Sequence, residues 1–229
     1  MTGKISEIFQ SVQGEGKYVG VRQVFIRFFG CQLDCTWCDT SYARDPSKGR
    51  FEEMASDDVI AQAEKMWHGC HSVSLTGGEP LLQADFIQEL LPRFKKARLA
   101  VYLDTNAVEH AQLLKIMDGI DIIAADIKLP SSTRGPALWD RHAAFLSAAR
   151  DKDLFVKAVI TPGTAVEDLR QAARLISGID ADIPVFLQPE SGSCNRALLE
   201  QCLSFQKICL ESLKDVRIVP QMHKWLGIR

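Results

Sequence analysis

Short runs of β-branched and aromatic residues recur along this chain. Each is followed by a longer stretch in which apolar residues return every three or four positions. The runs predict strands over residues 24–29, 72–75, 100–103, 120–124, 155–160 and 185–187. The periodic stretches predict helices over 58–67, 86–94, 109–117, 139–150, 165–177 and 195–210. In the first helix Val59, Ile60, Ala63, Met66 and Trp67 share a face. Ser56 is its candidate cap, and Asp57 and Asp58 suit its positive end. Six strands alternating with helices form a β/α repeat, and right-handed crossovers make its sheet parallel. A closed eight-unit barrel takes about 250 residues. Six units in 229 residues therefore predict a partial (β/α)6-type TIM barrel, open on one side. An open doubly wound sheet is the alternative. No linker, low-complexity stretch or sequence repeat interrupts the chain, so 1–229 is expected to be a single domain.

Composition narrows the class. Hydrophobic residues make up 46% and charged residues 24%, which excludes a disordered or fibrous chain. Lys plus Arg number 27 against 29 Asp plus Glu, a net charge of −2 that leaves no electrostatic footprint for nucleic acid. No apolar run reaches the roughly 18 residues that span a bilayer. The first thirteen residues carry Glu7 and two glutamines rather than an apolar signal core. The expectation is a cytoplasmic protein that acts on a small molecule.

Chemistry concentrates at one end of the predicted strands, the end that carries active sites in parallel β/α folds. Cys31, Cys35 and Cys38 follow the first strand; Thr76, Gly77, Gly78, Glu79 and Pro80 follow the second. Asp104, Thr105 and Asn106 close the third, and Asp126 and Lys128 follow the fourth. Thr161 and Pro162 follow the fifth, and Gln188, Pro189 and Glu190 the sixth. Turn chemistry explains a Gly-Gly pair or one proline, not six such sites. Seven cysteines in a chain this long are not a disulfide framework. The trio within eight residues reads either as three ligands of an iron–sulfur cluster with one iron left open, or as a zinc knuckle completed by His68, Cys70 or His71. Cys70, Cys194, Cys202 and Cys209 read as structural thiols.

The trio's Cys-x-x-x-Cys-x-x-Cys spacing, with Trp37 before its last member, resembles the radical S-adenosylmethionine (SAM) superfamily. Gly77-Gly78-Glu79-Pro80 resembles that superfamily's GGEP element. Ser11-Val12-Gln13-Gly14-Glu15-Gly16, Arg27, Cys38-Asp39-Thr40 and Gln221-Met222-His223-Lys224 together resemble the 7-carboxy-7-deazaguanine synthase family. The resemblance implies a carbon–nitrogen lyase of queuosine and 7-deazapurine biosynthesis. Such an enzyme contracts the ring of 6-carboxy-5,6,7,8-tetrahydropterin with a [4Fe-4S] cluster, SAM and Mg2+. A flavodoxin or ferredoxin as electron donor and a homodimer are implied with it.

The site residues follow from the same resemblance. Cys31, Cys35 and Cys38 hold the cluster, and Thr40 holds magnesium, which prefers oxygen. Trp37, Cys38, Asp39, Gly77, Gly78, Glu79, Asp104, Asn106, Asp126, Ile127, Lys128 and Gln188 contact SAM. Gln13, Gly14, Glu15, Arg27, Thr76 and His223 contact the substrate. Glu15 suits the N–H donors of a pterin edge. Arg27, in an otherwise apolar strand, is either half of a buried salt bridge or a fork for the substrate carboxylate. Ala107 stands where the family has glycine, which puts the backbone there in doubt. Arg93, Lys95, Lys96 and Arg98 form either a solvated helix end or a docking patch for an acidic donor. Two rivals stand beside this reading: a glycyl-radical activase and a non-catalytic zinc module.

Overall fold

The computed structural model describes residues 1–228. Nine strands make one open sheet in the order β3-β1-β2-β4-β5-β6-β7-β8-β9. They are β1 (Thr2–Val12), β2 (Arg22–Phe28), β3 (Glu52–Ala55), β4 (Ser72–Gly77), β5 (Ala100–Thr105), β6 (Ile122–Asp126), β7 (Asp153–Ile160), β8 (Val185–Pro189) and β9 (Val216–Ile218). From β2 onward neighbours are parallel, whereas β1 runs antiparallel to both β2 and β3. The partial, unclosed α/β architecture is the expected one, with three strands the periodicity did not predict: β1, β3 and β9. The cysteine loop accordingly follows the second strand of the chain, which is the first strand of the parallel set. β1 escaped prediction because its register shifts between Ile5 and Glu7. A bulge there moves later side chains to the other face, so the period-two pattern breaks mid-strand.

The helices are α1 (Ser56–Glu64), α2 (Ala84–Lys96), α3 (His110–Ile116), α4 (Pro130–Thr133), α5 (Trp139–Ala149), α6 (Val166–Ile179), α7 (Arg196–Cys209) and α8 (Met222–Leu226). Ser56 does not cap α1: it lies in the first turn, and Ala55 takes the cap position without a side-chain bond. Asn195 does cap α7, accepting from the Leu198 amide at 3.0 Å.

Side-chain alternation divides each central strand into two jobs. One parity, including Val73 and Leu75, Val101 and Leu103, and Val156 and Ala158, joins the large core beneath the helices. The other parity faces the concave side. There Tyr102, Ile122, Ala124, Phe155 and Phe186 form a second, smaller core. Two residues further along the same strands come Asp104, Asp126, Lys157 and Gln188, which line a cavity. The apolar layer is thus the floor beneath a polar layer of the same parity. Strands buried on both faces read as continuous hydrophobic runs, which is why they were legible.

Candidate functional site

A cavity of about 390 Å³ opens at the carboxyl ends of the parallel strands. Cys31, Cys35 and Cys38, in the loop between β2 and β3, line it with Gly77 and Gly78 from β4 and its end. The loop is pinned by the Gly30 amide to the Ala43 carbonyl at 2.8 Å and by Arg44 to the Leu33 carbonyl at 3.3 Å. The Leu33 amide and Asn106 Nδ2 lie 3.4 and 3.7 Å from Cys31 Sγ. Burial pushes the Cys31 thiol up to about 11 and raises Cys35 as well. The bare Cys31 and Cys35 thiols are held toward the protonated form, and a bound cation would supply the charge that thiolates need. His68, Cys70 and His71 cannot complete a zinc knuckle with the trio. They precede β4, with the His71 amide bonded to the Arg22 carbonyl, on the opposite rim.

Gly77 and Gly78 are required by backbone packing. A Cβ at Gly77, whose φ is +130°, would strike the Phe28 carbonyl, and one at Gly78 would strike that of Gly30. The Gly78 and Glu79 amides bond those carbonyls at 3.0 and 2.7 Å, seating the end of β4 beside the cysteine loop. Glu79 does not face the cavity. Its side chain is fully buried behind the wall and accepts from the Leu81 amide at 3.1 Å, Thr105 Oγ1 at 2.7 Å and the Asn106 amide at 2.8 Å. Burial pushes its carboxyl up to about 7 against these bonds. Ile127 is buried away from the cavity, its amide on the Lys157 carbonyl at 2.9 Å. These two predicted contacts are therefore positioned to shape the wall rather than to meet a ligand through their side chains. Ala107 adopts φ +55°, the left-handed geometry that favours glycine, so the turn is kept in spite of the alanine.

The other expected residues converge on the cavity: Gln13, Gly14, Glu15, Arg27, Trp37, Asp39, Thr40, Thr76, Asp104, Asn106, Asp126, Lys128, Gln188 and His223. Lys128 Nζ lies 2.7 Å from Asp126 Oδ2 and 4.7 Å from the centre of the Trp37 ring. Burial opposes its charge, yet the Asp126 carboxylate holds it above the ordinary lysine value. Asp126 Oδ1 and Gln188 Oε1 are buried with no hydrogen-bond partner. Acceptors of this kind, in a wall shared with three thiols, fit a donor-bearing cofactor seated on a metal cluster.

The far half of the cavity is built by segments distant in sequence. Glu15 arrives from the β1–β2 loop, and Asp39 from the cysteine loop. His223 and Gln221 come from the carboxyl-terminal region, where α8 is tied to that hairpin by the Met222 amide on the Gly14 carbonyl at 2.9 Å. Ligand atoms of Glu15, Asp39 and His223 lie within 4.8 Å of one another. Burial works against the Asp39 charge, but His223, Lys224 and Arg27 hold its carboxyl well below the usual range. Thr40 Oγ1 lies 3.8 Å from Cys38 Sγ and 3.5 Å from the Gly77 carbonyl. Gln13 spends its side chain inside the fold, accepting from the Glu15 amide and donating to Gln23, both at 3.0 Å.

Arg27 forms the partly buried salt bridge that was one of the two readings offered by the sequence. Its Nε donates to Glu7 Oε1 at 2.8 Å, and its guanidinium lies over Phe9 at 5.5 Å, while Tyr42 donates to the same Glu7 oxygen at 2.7 Å. The salt bridge uses one edge of the guanidinium; the Nη1/Nη2 edge is the fork that a carboxylate takes. Glu7, Tyr42, Lys157 and Gln221 line the cavity and were not among the expected contacts. For Gln221 the signal was present, since it begins the Gln-Met-His-Lys element. The basic run at the end of α2 lies where β5 begins, opposite the cysteines, and Arg93 bonds Asp57 at 2.9 Å. A donor docked there would face the wrong rim. Arg229 lies outside the described residues.

Comparison with known proteins places this geometry among relatives. The Radical SAM superfamily matches residues 25–176. The 7-carboxy-7-deazaguanine synthase of Geobacter sulfurreducens is 38% identical over 98% of this chain and 97% of its own length. That of Methanothermobacter thermautotrophicus is 35% identical over 100% and 99%. The crystal structure of QueE from Escherichia coli superposes with a TM-score of 0.66 over 97% of this chain and 95% of that one, at 22% identity. Among the described residues no helix is long and apolar enough to cross a membrane.

Proposed function

The chain belongs to the 7-carboxy-7-deazaguanine synthase family of the radical SAM superfamily, and from that membership we propose that it contracts the ring of 6-carboxy-5,6,7,8-tetrahydropterin to 7-carboxy-7-deazaguanine with release of ammonia, on the route to queuosine or another 7-deazapurine. One observation carries the reading: a single cavity has a cysteine-and-glycine half suited to a cluster and its cofactor, and an Arg27/Glu15 half suited to a flat, carboxylated heterocycle.

In this reading Cys31, Cys35 and Cys38 hold a [4Fe-4S] cluster. The backbone at Gly77 and Gly78 meets the methionine end of SAM, and Lys128 offers its carboxylate a cation. Asp126 Oδ1 and Gln188 Oε1 are acceptors for the cofactor's donors. When bound, the cluster and SAM supply the hydrogen-atom abstraction that opens the reaction. The chain's own part is placement and exclusion of water. Arg27 takes the substrate carboxylate on its Nη1/Nη2 edge while Glu7 and Phe9 fix the guanidinium. Glu15 accepts from the pterin N–H edge, His223 closes over Gly14, and the aromatic floor of Tyr102, Phe155 and Phe186 keeps water from below. Mg2+ belongs beside Thr40, whose hydroxyl lies in the cavity wall near the Gly77 carbonyl; a cation there would steady negative charge developing on substrate oxygens.

The one sheet, which runs through residues on both sides of the matched segment, supports a single radical SAM domain. A flavodoxin or ferredoxin would deliver the electron on the cysteine-loop side. A homodimer is consistent with Leu199, Leu203 and Leu210, which α7 and its end leave exposed. The test is anaerobic incubation of the reconstituted protein with the carboxytetrahydropterin, SAM, Mg2+ and reductant. Mass analysis is expected to show 7-carboxy-7-deazaguanine and ammonia. SAM cleavage with no deazaguanine would overturn the assignment.

A further inference from the structure

Lys157 lies deep in the cavity and takes no part in the roles just given. It sits mid-sheet on β7 with its side chain 3% exposed, and its Nζ is 2.6 Å from Glu15 Oε2 and 2.9 Å from Asp104 Oδ1. The second Glu15 oxygen accepts from Gln221 Nε2 at 2.7 Å, and the second Asp104 oxygen accepts from Thr76 Oγ1 at 3.4 Å. One ammonium thus joins three segments: the β1–β2 loop, β5 and β7. Fold stability alone gives little reason for a charge here. Buried ion pairs recover at best the solvation they lose, and an apolar side chain of similar volume commonly serves as well. What the ammonium does supply is a fixed, charged Glu15. Burial works against that charge, and Lys157 outweighs it, so the carboxyl stays below its ordinary value.

A carboxylate has about four lone-pair sites. Lys157 and Gln221 occupy one on each Glu15 oxygen. The two left suit a ligand edge with two adjacent N–H donors, such as the ring amide N–H and exocyclic amine of a 2-amino-4-oxopyrimidine. Resting on the function proposed above, we infer that Lys157 is a positioning residue for substrate recognition: it acts through Glu15, holding it as an oriented two-oxygen acceptor for that edge, and does not itself touch the substrate.

The probe is 6-carboxypterin, the oxidised analogue, titrated calorimetrically into anaerobic holoenzyme with SAM. Lys157→Met keeps most of the apolar stem, one heavy atom shorter, and removes the charge. It is expected to weaken binding about tenfold or more, as for a lost charge-assisted contact. Glu15→Gln should weaken it similarly, and the double variant no more than the worse single one. Lys157→Arg, which restores a cation, should recover affinity to within about threefold of the parent. If Lys157→Met does not fold with Asp104 left unpaired, Lys157→Met/Asp104→Asn removes both charges and should show the same weakening. Parent-like binding by the neutral variants, losses that multiply in the Glu15 double variant, or no recovery with arginine would overturn the inference. Failure of the parent to bind 6-carboxypterin would instead overturn the proposed function, and the inference with it.

Discussion

Replacing Glu79 with alanine tests whether this carboxylate holds the cofactor wall from behind. The side chain accepts from two backbone amides, Leu81 and Asn106, and from the Thr105 hydroxyl, all within 3.1 Å and fully buried. A buried donor stripped of its acceptor costs about 1–3 kcal/mol, so two amides cost about 2–6 kcal/mol. Part of that is offset, because the carboxyl is itself strained by burial, which lifts it to about 7. A net loss of about 2–3 kcal/mol is expected for Glu79→Ala, a large share of the roughly 5–15 kcal/mol that holds a domain together. Glu79→Gln can still accept from Leu81 and Thr105 but turns its amide toward the Asn106 N–H, so about half that loss is expected. Urea unfolding of the cluster-free protein at pH 8.5, where the carboxyl is ionised, reads the difference as a shift in midpoint at unchanged slope. SAM affinity of the holoenzyme should fall in the same order, because Asn106 and the 105–107 turn are released. An alanine variant within about 0.5 kcal/mol of the parent would refute the reasoning, showing that the two amides find other partners.

Three further outcomes follow from the same geometry. His142 is buried with its carboxyl-loop contacts at both nitrogens, 3.0 Å to the Ala107 carbonyl and 3.2 Å from the Lys128 amide, and burial lowers its pKa to about 4. A histidine depressed in the fold contributes stability above its unfolded value near 6.5 and loses it as pH falls toward 4; because Glu79, raised to about 7, shifts stability the other way, the loss of about 3 kcal/mol is read as the change in the parent-minus-His142→Gln unfolding free energy between pH 6.5 and 4. Arg27→Lys loses the planar fork and should weaken 6-carboxypterin binding by about 2 kcal/mol in calorimetry, whereas unchanged affinity would leave Arg27 with only its Glu7 bridge. Thr40→Val keeps the shape and removes the oxygen; the rate should lose its response to added Mg2+ while iron content stays at the parent's level.

Much of this was legible in the sequence because two signals coincide on the central strands. Double burial made β2, β4, β5, β6, β7 and β8 apolar enough to see, and the polar residue ending each concave parity marked the cavity rim. The predicted strands nevertheless stopped short: Asp126 belongs to β6 and Thr105 to β5. Apolar character ends there before hydrogen bonding does. β3 and β9 are short edge strands of four and three residues with no period to detect. Lys157 gave no signal at all, because one lysine inside the run from Asp153 to Ile160 is interpretable only when Glu15 and Asp104 are brought to it by the fold. Glu79 shows the opposite limit: its motif marks the cavity wall, but a motif does not say on which side of the wall a side chain lies.

With Arg27 holding the substrate carboxylate and the cysteine and glycine half of the cavity holding the cluster and SAM, the carbon bearing that carboxylate would be the one placed to give up hydrogen to the cofactor. The most direct test of this hydrogen transfer is substrate deuterated at that carbon, turned over anaerobically with SAM, Mg2+ and reductant. Deuterium is expected in 5′-deoxyadenosine and in recovered SAM, alongside 7-carboxy-7-deazaguanine. Turnover in which deuterium never enters the cofactor would contradict it.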